Sequence, residues 1–252
     1  MSQAGQMVSG QTGTAEDTVA PQAWVGLSVD DQRQLLISLI GYQFGDQPEQ
    51  HIDAIRASRR RYAARFLRQA RINRRQHVLE IGSGCGFGTG LLAEQAASVT
   101  ACDISPAYLS YARQQCQHYD NIRFLHIDNR SLQGVEADSM DAVISISVFI
   151  HLNLYDIYWY LQACHRVLKP GGRVCFDFSD EHMLFQSRPW RRQRQAVHDQ
   201  VFLDHSQDYR RDHCQLFALL QWNSEQGICQ VAKQCGFRRV NRFSTRLLLQ
   251  RD

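Results

Sequence analysis

The stretch VLEIGSGCGFGTG, Val78 to Gly90, decides the fold, because in it an apolar run breaks into glycine at every second position. A glycine loop after a buried strand lets the backbone turn tightly and lets a ligand lie against bare main chain. Dinucleotide-binding loops need the spacing G-x-G-x-x-G. That spacing fails here at each start, because the third glycine is replaced by Phe87, Thr89 or Leu91. A phosphate-binding P-loop also fails, since no Gly-Lys-Ser/Thr follows.

From position 77 onward, short apolar runs alternate with segments of helical pattern. Strands are predicted at HVLEI, SVTACD, IRFLHID, DAVISIS and RVCFDFS, with a closing strand pair at FRRVNRF and RLLLQ. The helix predicted after the second strand has Ser105 as its N-cap and Pro106 at its first position. Such alternation is typical of α/β proteins whose parallel sheet is covered by helices on both faces.

The glycine loop fits the pattern E-x-G-x-G-x-G, and acidic residues stand at the ends of the next two strands. The loop residues are Glu80, Gly82, Gly84 and Gly86. Asp103 closes the second predicted strand, Asp128 closes the third, and LKPGG leads into the fifth. In this order the motifs resemble the class I S-adenosylmethionine-dependent methyltransferases that act on small molecules. The resemblance runs from about Val78 to the C-terminus.

The resemblance implies an α/β fold with a Rossmann-like, seven-stranded, mostly parallel sheet and helices on both faces. An N-terminal helical cap and a lid inserted before the last helix are expected to extend it. We predict a disordered tail at 1–24, the helical cap at 25–75, and the methyltransferase domain at 76–252. Residues 181–222 interrupt the alternation and form the predicted insertion.

The resemblance also implies S-adenosylmethionine as the cofactor. In that family the glycine loop cradles the amino-acid and ribose parts of the cofactor, and the acid closing the second strand binds the ribose hydroxyls. A carboxylate suits that place because it accepts two hydroxyl hydrogen bonds. The acid closing the third strand faces the adenine amino group. The expected cofactor-binding residues are Glu80, Gly82, Ser83, Gly84, Gly86, Asp103, Ile104, Asp128, Asn129 and Ser145.

Methyl transfer requires few catalytic groups from the protein, because the sulfonium of the cofactor makes its methyl group electrophilic. The chain has mainly to position a nucleophile in line with the S–CH3 bond and to exclude water. No metal is expected. His151 follows the fourth strand, and histidine is the side chain that commonly serves as a base near neutral pH, so His151 is the candidate base for a hydroxyl acceptor. The alternative is that His151 packs at the top of the sheet without a role as a base.

Aromatic residues near that edge are candidates for the acceptor pocket. Tyr155, Tyr158 and Trp159 begin the helix after the fourth strand, and Trp190 lies in the insertion among arginines. The alternative for the first three is that they cover the sheet. The insertion is interpreted either as a lid whose arginines bind an anionic acceptor, or as a solvated helix pair with internal Arg–Asp contacts.

Composition restricts the partners and the compartment. The formal charge of +3 indicates no strongly polyanionic partner. The eight cysteines form no C-x-x-C pair, which favours reduced thiols in the cytoplasm. The polar N-terminus is not expected to be a signal peptide, and no stretch reaches the ~20 apolar residues that cross a bilayer. The oligomeric state stays open.

Three functions are compatible with these motifs. The first is methyl transfer to the oxygen or nitrogen of a small-molecule acceptor. The second is methylation of RNA or protein, for which arginines at 59–61 and 188–194 are the support. Against nucleic acid, the fourth-strand edge reads Ile-Ser-Val at 146–148 and lacks an N-P-P-Y-like motif. The third is a catalytically inactive scaffold, although the glycines and Asp103 are all present.

Overall fold

The structure, a computed structural model, describes residues 48–127, 130–182, 221–243 and 246–252, together with Ser28 and Asp30. The predicted tail at 1–24 lies outside these residues, as do much of the predicted cap and the centre of the predicted insertion. Asp128, Asn129 and Trp190 lie outside them as well.

The core of the fold is one mixed sheet of seven strands. Its strands are β1 (His77–Ile81), β2 (Ser98–Asp103), β3 (Ile122–His126), β4 (Met140–Ser145), β5 (Leu168–Asp177), β8 (Phe237–Phe243) and β9 (Arg246–Arg251). The first five are parallel to one another, and β9 runs antiparallel between β5 and β8. Their order is β3-β2-β1-β4-β5-β9-β8. The predicted seven-stranded, mostly parallel sheet is therefore confirmed.

Among the described residues, five helices cover the two faces of the sheet, and three of them connect parallel strands. They are α1 (Ile52–Ala70), α2 (Thr89–Gln95), α3 (Pro106–Gln115), α4 (Leu154–Val167) and α5 (Glu225–Gln234). Two 3-10 helices, Pro48–His51 and Phe149–His151, precede α1 and α4. The predicted cap of α3 is confirmed, because Ser105 Oγ accepts a hydrogen bond from Tyr108 N at 3.3 Å.

Each strand contributes side chains to two separate apolar layers, because successive residues of a strand point to opposite faces. Val78 of β1 packs in the layer under α1 and α2. Leu79, its neighbour, packs in the layer under α4 and α5. This double burial explains why the parallel strands are nearly continuous apolar runs.

One small element was not predicted. β6 (Ser179–Asp180) and β7 (Trp222–Asn223) pair in parallel and form a second sheet at the two ends of the insertion. Strands of two residues are too short to show a period, so the sequence gives no sign of them. The returning chain is anchored by Gln221 N, which donates to Ile150 O at 2.8 Å. Within the described residues, no helix combines the length and apolar character that a bilayer crossing requires.

Candidate cofactor site

The glycine loop lies at the carboxyl edge of the sheet and folds back on the end of β2. Gly82 N and Ser83 N both donate to Cys102 O, at 2.8 and 3.0 Å. Gly86 N donates to Ser83 O at 3.0 Å, which closes a tight turn before α2. The loop is therefore fixed by its own main chain.

Two of the glycines are required for different reasons. Gly82 has φ +79°, and a Cβ placed there would lie 2.1 Å from Val148 Cγ2. Gly84 has φ +50°, and a Cβ placed there would meet no atom within 4 Å. Gly82 is thus dictated by packing and backbone conformation. Beside Gly84, in contrast, the loop leaves open space against bare main chain.

Asp103 connects the end of β2 to this open position. Its Oδ2 accepts a hydrogen bond from Gly84 N at 2.8 Å, and its Oδ1 accepts one from Ser105 N at 2.9 Å. Burial raises the pKa of Asp103, and these backbone donors counteract the rise. Each carboxylate oxygen has a further lone pair, so Asp103 can accept hydroxyl hydrogen bonds while it holds the loop.

Glu80 lies beneath the loop rather than in its open space. It is only 3% exposed, and Thr89 Oγ1 donates to its Oε2 at 2.6 Å. Burial raises the pKa of Glu80 to about 7, with the Thr89 hydrogen bond acting against it. Glu80 therefore braces the start of α2, and its predicted contact with the cofactor stays a prediction.

Ser83 supplies an independent test of whether the loop fits a polar ligand. Its Oγ is buried and has no hydrogen-bond partner among the described residues. A buried hydroxyl without a partner is unfavourable. A polar group of a ligand in the loop would satisfy it. Together with Asp103 and the space beside Gly84, this hydroxyl fits the ribose and amino-acid parts of S-adenosylmethionine.

The remaining predicted cofactor residues are distributed around the same edge. Ile104 is half-buried after β2, and its carbonyl oxygen lies 3.0 Å from His126 Nε2. Ser145 is fully buried at the end of β4, and its hydroxyl donates to Ile81 O at 3.0 Å. That hydroxyl joins β1 to β4. A cofactor contact by Ile104 or Ser145 stays a prediction.

The predicted acceptor residues within the described ranges are a histidine in the 3-10 helix before α4 and three aromatic residues in α4. His151 is half-buried at the end of the second 3-10 helix, where its backbone N–H donates to Val148 O at 2.9 Å. Tyr155 and Trp159 are exposed, at 65% and 44%, and Tyr158 is half-buried.

The alternative that the aromatics at the start of α4 cover the sheet is wrong for Tyr155 and Trp159. The helical period gives the buried positions of α4 to Ile157, Tyr160 and Leu161 instead. A role of the exposed pair in an acceptor pocket stays a prediction.

A buried polar group at the end of β5 was missed. Asp177 is 3% exposed, and its Oδ1 accepts a hydrogen bond from Ser147 N at 2.8 Å. Tyr62 Oη, on α1, donates to Oδ2 at 3.0 Å. Ser147 has φ +60°, so Asp177 fixes a strained turn next to Val148, which packs on Gly82. The signal was present in the sequence, because Asp177 closes a strand just as Asp103 does.

Among the residues that the structure describes, no three His, Cys, Asp or Glu side chains come together as metal ligands would. The seven described cysteines are free thiols, and six of them are buried.

Comparison with known proteins identifies the central part of the chain. A family model described as a methyltransferase domain matches residues 78–172. Demethylmenaquinone methyltransferase of Tropheryma whipplei (strain Twist) is 38% identical over 99 residues, 39% of this chain and 40% of that protein. Ubiquinone biosynthesis O-methyltransferase of Pseudomonas fluorescens (strain Pf0-1) is 30% identical over 100 residues, 39% of this chain and 42% of that protein. The chain thus spans about two fifths of the length of these curated relatives.

The fold is shared with solved structures over a longer range. Magnesium protoporphyrin IX methyltransferase from Synechocystis PCC 6803, solved with bound SAH, superposes with a TM-score of 0.53 at 17% identity. The match covers 78% of this chain and 83% of that one. The predicted family is confirmed over the central part of the chain: residues 78–172 match a methyltransferase domain, and the wider fold is that of solved methyltransferases.

Proposed function

We propose that this chain transfers the methyl group of S-adenosylmethionine to an oxygen or nitrogen of a small-molecule acceptor. The observation that carries the proposal is the hydrogen bond from Gly84 N to Asp103 Oδ2 at 2.8 Å, next to open space over Gly84. This arrangement presents bare backbone and a buried carboxylate to one polar ligand. An inactive scaffold is disfavoured, because the loop keeps both features.

Each residue of the site has a proposed part in binding. Asp103 would accept the ribose hydroxyls, and Ser83 Oγ would bond to a polar group of the same ligand. Glu80 and Thr89 would keep α2 in position below the loop. Bound S-adenosylmethionine supplies an electrophilic methyl group on its sulfonium. The chain would align the acceptor and exclude water, and His151 is the proposed base if the acceptor is a hydroxyl.

A small acceptor is favoured over RNA or protein by the relatives. The names of two curated relatives refer to demethylmenaquinone and to ubiquinone biosynthesis, and both compounds are small molecules. Half-buried Tyr158 and exposed Tyr155 and Trp159, at the start of α4, offer aromatic surface that suits a planar acceptor. Free, mostly buried thiols agree with the cytoplasm as the proposed location.

The first experiment measures binding of S-adenosylhomocysteine by calorimetry to the wild type, D103N and D120N. Asp120 is exposed, so D120N is a matched control. We expect D103N to weaken binding at least ~10-fold, since it loses a charged acceptor, and D120N to bind as the wild type does. Equal binding by all three proteins, or none by the wild type, would refute the cofactor site.

The second experiment identifies the acceptor class with methyl-labelled S-adenosylmethionine. Quinols, phenols and amines are offered in parallel with total RNA and with protein. Label on a small molecule supports the proposal. Label on RNA alone, with binding that falls steeply as salt rises, would replace it with the nucleic-acid alternative.

A further inference from the structure

A second cavity lies at the amino-terminal edge of the sheet, opposite to the glycine loop. It is a groove of about 560 Å³ between the end of α1 and the starts of β4 and β5. The strands separate it from the cofactor site by roughly 17 Å, the length of a strand of six residues. Its floor includes Leu248, and its lining side chains are mostly polar.

The charges that line the groove are unbalanced. Arg71, Lys169 and Arg173 are the cations, and Asp141 is the acid. Both oxygens of Asp141 are already engaged, because Lys169 Nζ donates to Oδ1 and His77 N donates to Oδ2, each at 2.8 Å. Within the described part of the chain, neither Arg71 nor Arg173 has a carboxylate partner. Two guanidinium groups therefore share the groove without a counter-charge.

Arg173 is in an unfavourable position for a cation. It belongs to β5, is half-buried, and lines the groove together with Arg71, which follows α1. Burial lowers the pKa of Arg173, and the charge of Arg71 lowers it further. A half-buried charge next to a like charge gains stability when an anion joins it.

Three amide side chains extend the donor set. Gln69 Oε1 accepts from Arg246 Nε at 2.8 Å, and Gln76 Oε1 accepts from Asn73 N at 3.0 Å. Asn241 Oδ1 accepts from the backbone N–H of its neighbour at 2.7 Å. All three residues line the groove. Their oxygens are engaged, and their NH2 groups donate to no other group of the described residues. The groove is accordingly rich in donors and poor in acceptors.

We propose that this groove binds a small phosphate-bearing molecule through Arg71 and Arg173, with amide NH2 groups as further donors. A phosphate suits the site because a doubly charged anion matches two unpaired guanidinium groups, and because its oxygens accept bidentate hydrogen bonds. The site is separate from methyl transfer, and binding there does not depend on the proposed function.

The test is calorimetric titration with inorganic phosphate and with glycerol phosphate, at constant ionic strength set by chloride. Saturating S-adenosylhomocysteine keeps the ligands out of the cofactor site. The variants are R173Q and R71Q, and R61Q is the matched control. Arg61 belongs to α1, is exposed as Arg71 is, and does not line the groove. Glycerol, which carries no charge, is the ligand control.

We expect the wild type and R61Q to bind phosphate or its ester, and R71Q and R173Q to bind at least ~5-fold more weakly. At a phosphate concentration that saturates the wild type, the unfolding midpoint should rise by about 2–4 °C in the first two proteins and by clearly less in R71Q and R173Q. A preference for glycerol phosphate over inorganic phosphate would identify an ester as the ligand. Equal binding by all four proteins, or absence of binding by the wild type, would overturn the proposal. R71Q, at an exposed helix end, keeps the test decisive if R173Q does not fold.

Discussion

The phenol of Tyr62 donates a hydrogen bond to Asp177 Oδ2 across 3.0 Å, and so joins α1 to the end of β5. The other oxygen of Asp177 accepts from Ser147 N, at the turn that precedes Val148. Val148 in turn packs on Gly82 of the glycine loop. Through these contacts, a helix that lies outside the sequence motifs supports the backbone of the candidate cofactor site.

Replacing Tyr62 by Phe should destabilise the fold by about 1–3 kcal/mol, because a buried carboxylate loses a donor. Burial raises the pKa of Asp177 to about 6, and the hydrogen bond from Tyr62 works against that rise. The hydrogen bond favours the ionised carboxylate, so the loss should be larger at pH 8 than at pH 5. Urea unfolding at the two pH values measures it.

Y119F is the control for Y62F. Tyr119 Oη donates to Glu94 Oε1 at 2.6 Å, but that pair lies at the exposed surface. Its loss should stay within about 1 kcal/mol and change little between pH 5 and pH 8. If Y62F proved no worse than Y119F at pH 8, the Tyr62–Asp177 contact would have no structural importance.

Alanine at Gly82 and at Gly84 should separate folding from binding. G82A places a Cβ 2.1 Å from Val148 Cγ2, so we expect a loss of several degrees in the unfolding midpoint. G84A meets no atom within 4 Å and adds backbone strain of about 1–2 kcal/mol. It should stay folded but fill the space proposed for the cofactor.

Thermal unfolding measures the stability of the two variants, and calorimetry with S-adenosylhomocysteine measures their binding. A folded G84A that binds normally would contradict the proposed position of the ligand.

Replacing Ser83 by Ala should leave the free protein as stable as the wild type, because the lost hydroxyl has no partner among the described residues. Affinity for S-adenosylhomocysteine should fall about 3–10-fold, the effect of one hydrogen bond. Unfolding of the free protein measures its stability, and calorimetry with S-adenosylhomocysteine measures the affinity. A clear loss of stability without ligand would mean that Ser83 serves the fold rather than the ligand.

The sequence was sufficient for the features that depend on local patterns. The sequence predicts the end of β2 because Asp103 follows an apolar run. It predicts the N-cap of α3 because Ser105 precedes Pro106. Parallel strands place their carboxyl ends on one edge, so the glycine loop and Asp103 were expected to meet there, and they do.

The features that were missed depend on packing between distant parts of the chain. Asp177 ends an apolar run, but its partner Tyr62 lies 115 positions away on α1. The helical period of α1 does not show where that helix packs on the sheet. Likewise, Glu80 belongs to the glycine motif, but only the structure shows that its carboxyl group bonds to Thr89 beneath the loop. Sequence pattern predicts that a residue is near the site and does not predict which way its side chain faces.

His151 gives a prediction that depends on the acceptor. If the acceptor is a hydroxyl, H151A should lower kcat at saturating acceptor by about 10²–10⁴-fold, the usual contribution of a general base. Binding of S-adenosylhomocysteine should not change. Turnover and calorimetry on the same preparation distinguish the two effects. Near-normal turnover would remove His151 from the mechanism and favour the alternative that it packs at the sheet edge.

Replacing Glu80 by Gln should make the protein more stable at pH 8 and leave it nearly unchanged at pH 4.5. Burial raises the pKa of Glu80 to about 7, above its value in the unfolded chain. At a pH between these two pKa values, the folded state binds a proton that the unfolded state lacks. The free energy of unfolding therefore falls as pH rises through this range, by up to about 3 kcal/mol because of Glu80. Gln cannot ionise, and its oxygen can still accept the hydrogen bond from Thr89.

Urea unfolding without cofactor, from pH 4.5 to 8, measures the difference in stability between E80Q and the wild type. The control is E94Q, which changes a half-exposed surface carboxylate. A difference for E80Q that stays constant across this range would show that folding does not raise the pKa of Glu80.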